Sequence, residues 1–204
     1  MILSGQKLAE EIARGNAGEH LGVAIIPEPS LDDLKRSGES SVSLRLGRWF
    51  LSVKQSNETH IEAFASNSEK VQRISKQYFV PFGNEFILHP GRFVLAATLE
   101  WLRLPSCYTA FVVGKSSLGR RGIIIETAAG VHPGFSGCLT LEIANVGELP
   151  VALVPGQQIC QLFLHAMDGE LGDTKTAHAG QRKPRLGQMK PDQLLEKLIA
   201  TKGL

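Results

Sequence analysis

Tyr108-Thr109-Ala110-Phe111-Val112-Val113-Gly114-Lys115-Ser116-Ser117-Leu118-Gly119-Arg120-Arg121-Gly122 is the stretch on which the fold turns. An apolar, strand-like run from Tyr108 to Val113 passes directly into a bend of glycines, hydroxyls and cations. Glycines let backbone N–H groups approach an anion, Ser116 and Ser117 donate, and Lys115, Arg120 and Arg121 supply positive charge. That is the chemistry of a polyphosphate cradle. Gly-Lys-Ser invites comparison with a P-loop, which needs a glycine five residues before its Gly-Lys. Thr109 fills that position, and Ala110 to Val113 read as a strand rather than a flexible loop. A P-loop domain is therefore rejected and the phosphate cradle kept.

Working outward, the period of the chain is two almost everywhere. Val42, Leu44 and Leu46 alternate with Ser43, Arg45 and Gly47. Further strands are expected at Tyr78–Val80, Glu85–Leu88, Phe93–Ala97, Leu102–Leu104, Ile123–Glu126, Cys138–Ala144, Val151–Val154 and Ile159–Leu164, each bounded by Gly or Pro signals. Many short strands at this spacing predict a mainly β fold, a barrel or jelly roll. Helices are expected only near the ends. One is capped by Ser4 and runs to about Arg14. A short one opens at Ser30-Leu31-Asp32-Asp33 and stops at Gly38, and a closing one runs from Asp192 to Lys202 with Leu194, Leu195, Leu198 and Ile199 on one face. Glu58 to Gln72 reads as a polar surface insertion, and Asp168 to Gln188 as a mobile, Gly-rich tail. The organisation expected is a nucleotide domain over 1–167 and a C-terminal lid and helix over 168–204.

The 204 residues are 43% apolar, enough for a real core, and carry a net charge of only +2. No bulk electrostatic footprint for nucleic acid is present. Cys107, Cys138 and Cys160 are odd in number and form no Cys-x-x-Cys, which argues against a disulfide framework or structural zinc and for buried, reduced thiols in a cytoplasmic protein. Met1-Ile2-Leu3-Ser4 leads into a helical pattern with no signal-peptide or membrane-length apolar run.

In Cys138-Leu139-Thr140-Leu141-Glu142-Ile143-Ala144, Leu139, Leu141 and Ile143 share one face, and Glu142 lies on the other among small side chains. Small neighbours leave room for a ligand. The alternation alone also admits an ordinary solvent-facing carboxylate.

Taken together, the segments resemble the dCTP deaminase family of the dUTPase superfamily. The motifs that carry the resemblance include Ser40-Ser41-Val42-Ser43-Leu44-Arg45-Leu46, Phe86-Ile87-Leu88-His89-Pro90-Gly91, Thr98-Leu99-Glu100 and Gly114 to Arg120. They continue through Pro133-Gly134-Phe135-Ser136-Gly137, Leu141-Glu142, Asn145-Val146-Gly147, Leu149-Pro150 and Pro155-Gly156, in that order. The resemblance implies a distorted jelly-roll-like barrel that assembles as a homotrimer with shared interface sites. It implies zinc-free hydrolysis of dCTP to dUTP and ammonia, with Mg2+ bound through the triphosphate and not in a protein cage. A dUTP diphosphatase or bifunctional enzyme, and a non-catalytic nucleotide-binding regulator, are the alternatives.

Residue by residue, the resemblance makes Glu142 the catalytic proton shuttle, Ser116 the residue that orients water, and Arg120 the cation beside the glutamate. Lys115 and Ser117 fall to the phosphate cradle, Ala129 to a backbone position that reads the base or water, and Gly130 and Gln161 to nucleotide binding. His132 reads either as a nucleotide-binding residue at the sugar or as a surface or hydrogen-bonded loop histidine. Gly180-Gln181 matches a segment that folds over bound nucleotide, where a lid would exclude water. The paired motifs of zinc deaminases, His-x-Glu and Pro-Cys-x-x-Cys, do not occur.

Departures from the family pattern are specific. Ser43 stands in place of an aspartate, Glu126 near a common histidine, and no tyrosine precedes Gly180-Gln181. The loop Ala128 to Pro133 reads one residue short, with His132 in place of the aspartate that activates water in dUTPases; little or no diphosphate hydrolysis is therefore expected. Trp49 and Trp101 read as core or interface packing, His89 as a turn residue, and His20, His60 and His178 as solvated loop residues. Arg182, Lys183 and Arg185 read either as a solvated tail or as cations that reach the triphosphate.

Overall fold

The alternation that starts at Val42 continues through the whole of β2 (Val42–Val53), the longest strand and the spine of the fold. The computed structural model describes residues 1–54, 57, 59–61, 73–127, 129–168, 180–187 and 192–201. Ahead of β2 lie α1 (Gly5–Asn16), β1 (Ala24–Ile26) and α2 (Leu31–Ser37). After it come β3 (Ser75–Phe79), β4 (Phe86–Leu88), β5 (Phe93–Thr98), β6 (Trp101–Arg103) and β7 (Tyr108–Gly114). The serine-rich bend is a single helical turn, α3 (Ser116–Gly119). It is followed by β8 (Ile123–Ile125), β9 (Gly130–Val131), β10 (Ser136–Gly137), β11 (Thr140–Asn145), β12 (Val151–Leu153), β13 (Gln158–Ala166) and α4 (Gln193–Ala200).

The main sheet runs β8-β11-β5-β2-β13-β7-β9, with β3 added to β2, and its strands pair antiparallel. It curls, because the link 126–129 joins its two edge strands directly. A small sheet, β1-β6-β10, and a ribbon, β12-β4, complete the fold. The concave side holds the core: Leu44, Leu46, Phe50, Leu102, Leu141, Ile143, Ile159 and Leu162 are fully buried. Burying each such side chain contributes about 1.5–3 kcal/mol. Phe50 and Phe86 stack at 4.5 Å between centroids. Leu8 and Ile12, one turn apart on α1, are also fully buried. Asn16 ties that helix to β1 by donating to Ile25 O and accepting from Ile25 N.

The expected strands and the short helix after Ser30 are present. Ser30 Oγ accepts from the Asp33 N–H, and Gly38 ends α2 at φ 66°. Three expectations change. Gly180 and Gln181 do not hang free but pair beside β10: Gly137 bridges Gln181, and the Cys138 N–H donates to Gln181 O at 2.7 Å. The closing helix forms with Asp192 as its cap, yet of its apolar face Leu194, Leu198 and Ile199 are exposed and Leu195 is half-buried. Trp49 and Trp101 are half-buried and border a cavity instead of joining the core. Most of the insertion over 58–72, His178 and most of the tail lie outside the described residues. No described helix is long and apolar enough to cross a membrane.

Candidate active site

The bend after β7 is built by close backbone approaches. Gly114 lies where a Cβ would sit 3.2 Å from Ile125 Cβ, so a side chain there would press β7 against β8. The Lys115 N–H donates to Ile159 O, and the Gly119 and Arg120 N–H groups close one helical turn on Lys115 O and Ser116 O. Gly122 leaves that turn at φ 80°, and a Cβ there would meet Gly147 backbone at 2.7 Å. Gly147 is held in turn by buried Asn145, which donates to Leu88 O and Leu149 O and accepts from the Gly147 N–H. The Asn-Val-Gly motif thus serves as a seat for the bend. Ser116, Ser117 and Arg120 are exposed on it, and Arg121 donates to Ser117 O at 2.7 Å.

Lys115 is half-buried and faces a cavity of about 360 Å3. Gln161 on β13 and Ser43 on β2, directly paired across the strands, line the same cavity. Gln161 Nε2 donates to Ser41 Oγ at 3.1 Å. Glu100 is only 4% exposed and also opens here; it accepts the Arg45 N–H at 2.8 Å. Burial pushes its carboxyl up, against the pull of that hydrogen bond and of the Arg45 charge. Behind it the buried Cys160 thiol is pushed up to about 12, by burial first and by Glu100 second. Sequence reasoning gave Glu100 no role; its only signal was its place in Thr98-Leu99-Glu100. Glu28, Asp33, Glu39 and Arg45 line the cavity too, so it mixes an ammonium and a guanidinium with several carboxylates.

Glu142 lies where the alternation put it. Leu141 and Ile143 are fully buried, while Thr140, Glu142 and Ala144 are half-buried on the outer face. Leu95 is its partner across β5. Its carbonyl accepts the Glu126 N–H at 2.9 Å and its N–H donates to Thr127 Oγ1, which clips the loop leaving β8 to this position. Farther along that loop, Ala129 and Gly130 are exposed. The Ala129 carbonyl accepts from the Val112 N–H, so one of its lone pairs is already used in the β7–β9 junction. His132 is exposed at the start of a turn that closes when the Phe135 N–H donates to its carbonyl.

Gln181 reaches the same face from the returning segment. Its Nε2 donates to Thr140 Oγ1 at 3.1 Å and to Lys183 O at 2.9 Å. The fold therefore brings Gln181 to Glu142's strand face, and Lys115 together with Gln161. It does not join these two groups. Among the described residues no hydrogen bond or ion pair links Glu142 to Ser116 or Arg120. Arg120 precedes the Ile123 end of β8 and Glu142 adjoins the other end, roughly 10 Å of strand away.

A family model described as dCTP deaminase-like matches residues 2–167. A protein of Methanobrevibacter smithii named dCTP deaminase, dUMP-forming, is 35% identical over 198 residues, 97% of this chain and 96% of that protein. One of Halorubrum lacusprofundi named dCTP deaminase is 41% identical over 165 residues, 80% of this chain and 76% of its own. The crystal structure of 2'-deoxycytidine 5'-triphosphate deaminase from Agrobacterium tumefaciens shares the fold, with a TM-score of 0.59 at 21% identity. That match covers 84% of this chain and spans half of the longer structure.

Proposed function

This chain belongs to the dCTP deaminase-like family, and we propose that it hydrolyses the 4-amino group of dCTP with Glu142 as the proton shuttle. The observation that carries the reading is Glu142 itself: a half-buried carboxylate on the outer face of β11 between Thr140 and Ala144, beside a segment pinned to Thr140 by Gln181. Deamination adds water to C4 of the base and expels ammonia. One carboxylate takes a proton from the attacking water and passes it to N3. It then takes the second proton from the new C4 hydroxyl and delivers it to the amine, so that C4=O forms as ammonia leaves. General acid–base groups of this kind contribute about 10²–10⁴-fold.

The remaining roles follow the chemistry of each group. Ser116 orients the water, and Arg120 steadies the carboxylate by charge and a planar hydrogen-bonding fork. Lys115, Ser117 and Gln161 hold the triphosphate, and Ala129, Gly130 and His132 border the base and sugar. Gln181 belongs to a lid that extends the barrel of 1–167. Magnesium enters on the triphosphate. The cavity at Lys115 holds oxygen donors, Ser43 and Glu100 among them, of the kind that suits a hard cation that keeps several waters. The separation of Arg120 from Glu142 within one chain supports sites shared between copies. So does the exposed apolar face of β7, where Phe111 and Val113 are 44% and 50% exposed. We take the assembly to be a homotrimer and its location to be cytoplasmic.

A second reading concerns the product. The sequence expectation was dUTP, because His132 replaces an aspartate. The Methanobrevibacter smithii relative is named for forming dUMP, which favours onward cleavage to dUMP and pyrophosphate. A panel of nucleoside triphosphates, with ammonia and pyrophosphate measured in parallel, tests both. Ammonia from dCTP is expected. Equal pyrophosphate assigns dUMP as the product, and ammonia alone assigns dUTP. Tight dCTP binding without ammonia would sink the deaminase reading and leave a nucleotide-binding regulator.

A further inference from the structure

We infer that the cavity between Trp49 and Trp101 is a second ligand site, shaped for a planar aromatic ring that carries an anionic group, of the nucleoside monophosphate class. The cavity measures about 470 Å3, within the range of small-molecule sites. Its floor is made of small residues. At Gly47 a Cβ would fall 2.7 Å from Ala97 O, so β2 and β5 meet there with no side chain between them. Both indoles line the cavity and neither is taken up by the core; the Trp49 ring already carries the Lys183 ammonium at 3.8 Å and packs 5.0 Å from Phe79, which leaves Trp101 as the stacking platform. Stacking on an indole is worth about 1–3 kcal/mol per base and is indifferent to which base it is.

Charge decides the rest. Arg48 and Arg182 line this cavity and no carboxylate does, whereas the cavity at Lys115 sets four carboxylates against Lys115 and Arg45. The Arg48 guanidinium sits 4.9 Å from the ring centres of both Phe79 and Phe82, which fixes its plane before any ligand arrives. Arg182 comes from the returning segment. That segment is docked by Gly180 N–H to Ser136 O, by Cys138 N–H to Gln181 O, and by the Lys183 ammonium 3.8 Å from the Trp49 ring centre. The segment that sets Gln181 against Thr140 therefore also completes this cavity, and a ligand held by Arg182 would keep the segment closed. None of the residues proposed for deamination lines the cavity, so the two readings stand or fall separately.

The chain's only two tryptophans both line the cavity, so intrinsic fluorescence reports on it directly. The full-length protein is titrated with dTMP, with thymidine and with inorganic phosphate. Saturable quenching by dTMP is expected, at least about 10-fold tighter than by either fragment, since ring and charge are each recognised. Arg48→Gln and Arg182→Gln should each weaken dTMP by about 10-fold or more without a change in melting temperature. Arg182→Gln leaves the barrel untouched, which keeps the test valid should Arg48→Gln misfold. In Glu142→Gln saturated with dCTP, dTMP should still quench. Absence of saturable quenching, equal affinity for thymidine and dTMP, indifference to both arginine changes, or displacement of dTMP by dCTP would each overturn the site.

Discussion

Gln181 donates its side-chain amide to Thr140 Oγ1 at 3.1 Å, two residues from Glu142 on the same face of β11. A remote segment is thus tied to the strand that carries the proposed proton shuttle. A net hydrogen bond is worth about 0.5–1.5 kcal/mol, so Gln181→Ala is expected to raise KM for dCTP several-fold and to lower kcat as water enters. Thr140→Val removes the same acceptor from the other side and should mimic it. Steady-state kinetics on both variants, with limited proteolysis of the 180–187 segment, make the check. A Gln181→Ala enzyme with unchanged KM and unchanged proteolysis would show that this contact does not hold the segment.

Glu142→Gln keeps shape and hydrogen-bonding capacity but cannot carry a proton. Ammonia release from dCTP is expected to fall by at least ~10²-fold, while dCTP binding by calorimetry stays within a few-fold of the parent. A near-normal rate would remove Glu142 from the chemistry.

The sequence was legible where one side chain's direction decides the structure. Alternation over Val42 to Leu46 and over Leu139 to Ile143 reported strands and their inward faces, and Ser30 with Gly38 reported both ends of α2. It was opaque where distant segments meet. Nothing local in Gly180-Gln181-Arg182-Lys183 says that its backbone pairs with Gly137 and Cys138, or that Lys183 lies over Trp49. The same holds for Trp49 and Trp101, whose apolar bulk suggests a core. They flank a cavity instead, because Gly47 lets β2 and β5 approach there. Glu100 reads as one more charged residue until burial and the Arg45 N–H give it a place beside Lys115.

Gly122 is required twice over, by its φ of 80° and by the Gly147 backbone 2.7 Å from where a Cβ would stand. Gly122→Ala must adopt a left-handed backbone and push the Asn145 turn aside, at a cost of about 2 kcal/mol or more. For a chain of this size that lowers Tm by about 4–8 °C. Because the bend presents Ser116 and Arg120, deamination should fall further than residual folding explains. Calorimetric Tm beside ammonia release at a temperature where the variant is folded separates the two effects.

Two buried carboxylates give stability opposite dependences on pH. Glu11, 2% exposed, is pushed up by burial, but its Lys7 hydrogen bond and the Lys7 and Arg14 charges outweigh this and leave its pKa below 4.5. Its contribution is present above 4.5 and lost as pH falls through the lowered folded value. Glu100 is raised above 4.5 by burial. Its folded form binds the proton more tightly than the unfolded chain, so stability falls as pH rises from 4.5 through the raised value. Urea midpoints from about pH 3 to pH 8 should therefore show Glu11→Gln losing stability mainly above 4.5. Glu100→Gln should lose the downward slope there. Parallel curves for Glu100→Gln and the parent would refute the burial effect.

Sharing of the site between copies has a sharper consequence than mass alone. Phe111 on β7 pairs across the sheet with Phe163 on β13, on the outward side next to Gln161. Phe111→Glu places a charge on that apolar face and should give a monomer by sedimentation equilibrium, with deamination lost alongside. Phe111→Glu alone does not prove sharing, since a destabilised chain would behave the same way. Mixing does. Glu142→Gln and Arg120→Ala are each expected to be inactive as pure assemblies. Unfolded together and refolded, they form mixed trimers in which Glu142 from one copy meets Arg120 from another at roughly a quarter of the sites. Ammonia release should recover toward that fraction of the parent rate. A mixture as inactive as its two components would mean that Glu142 and Arg120 act within one chain, and that the interface on β7 is not where the chemistry is assembled.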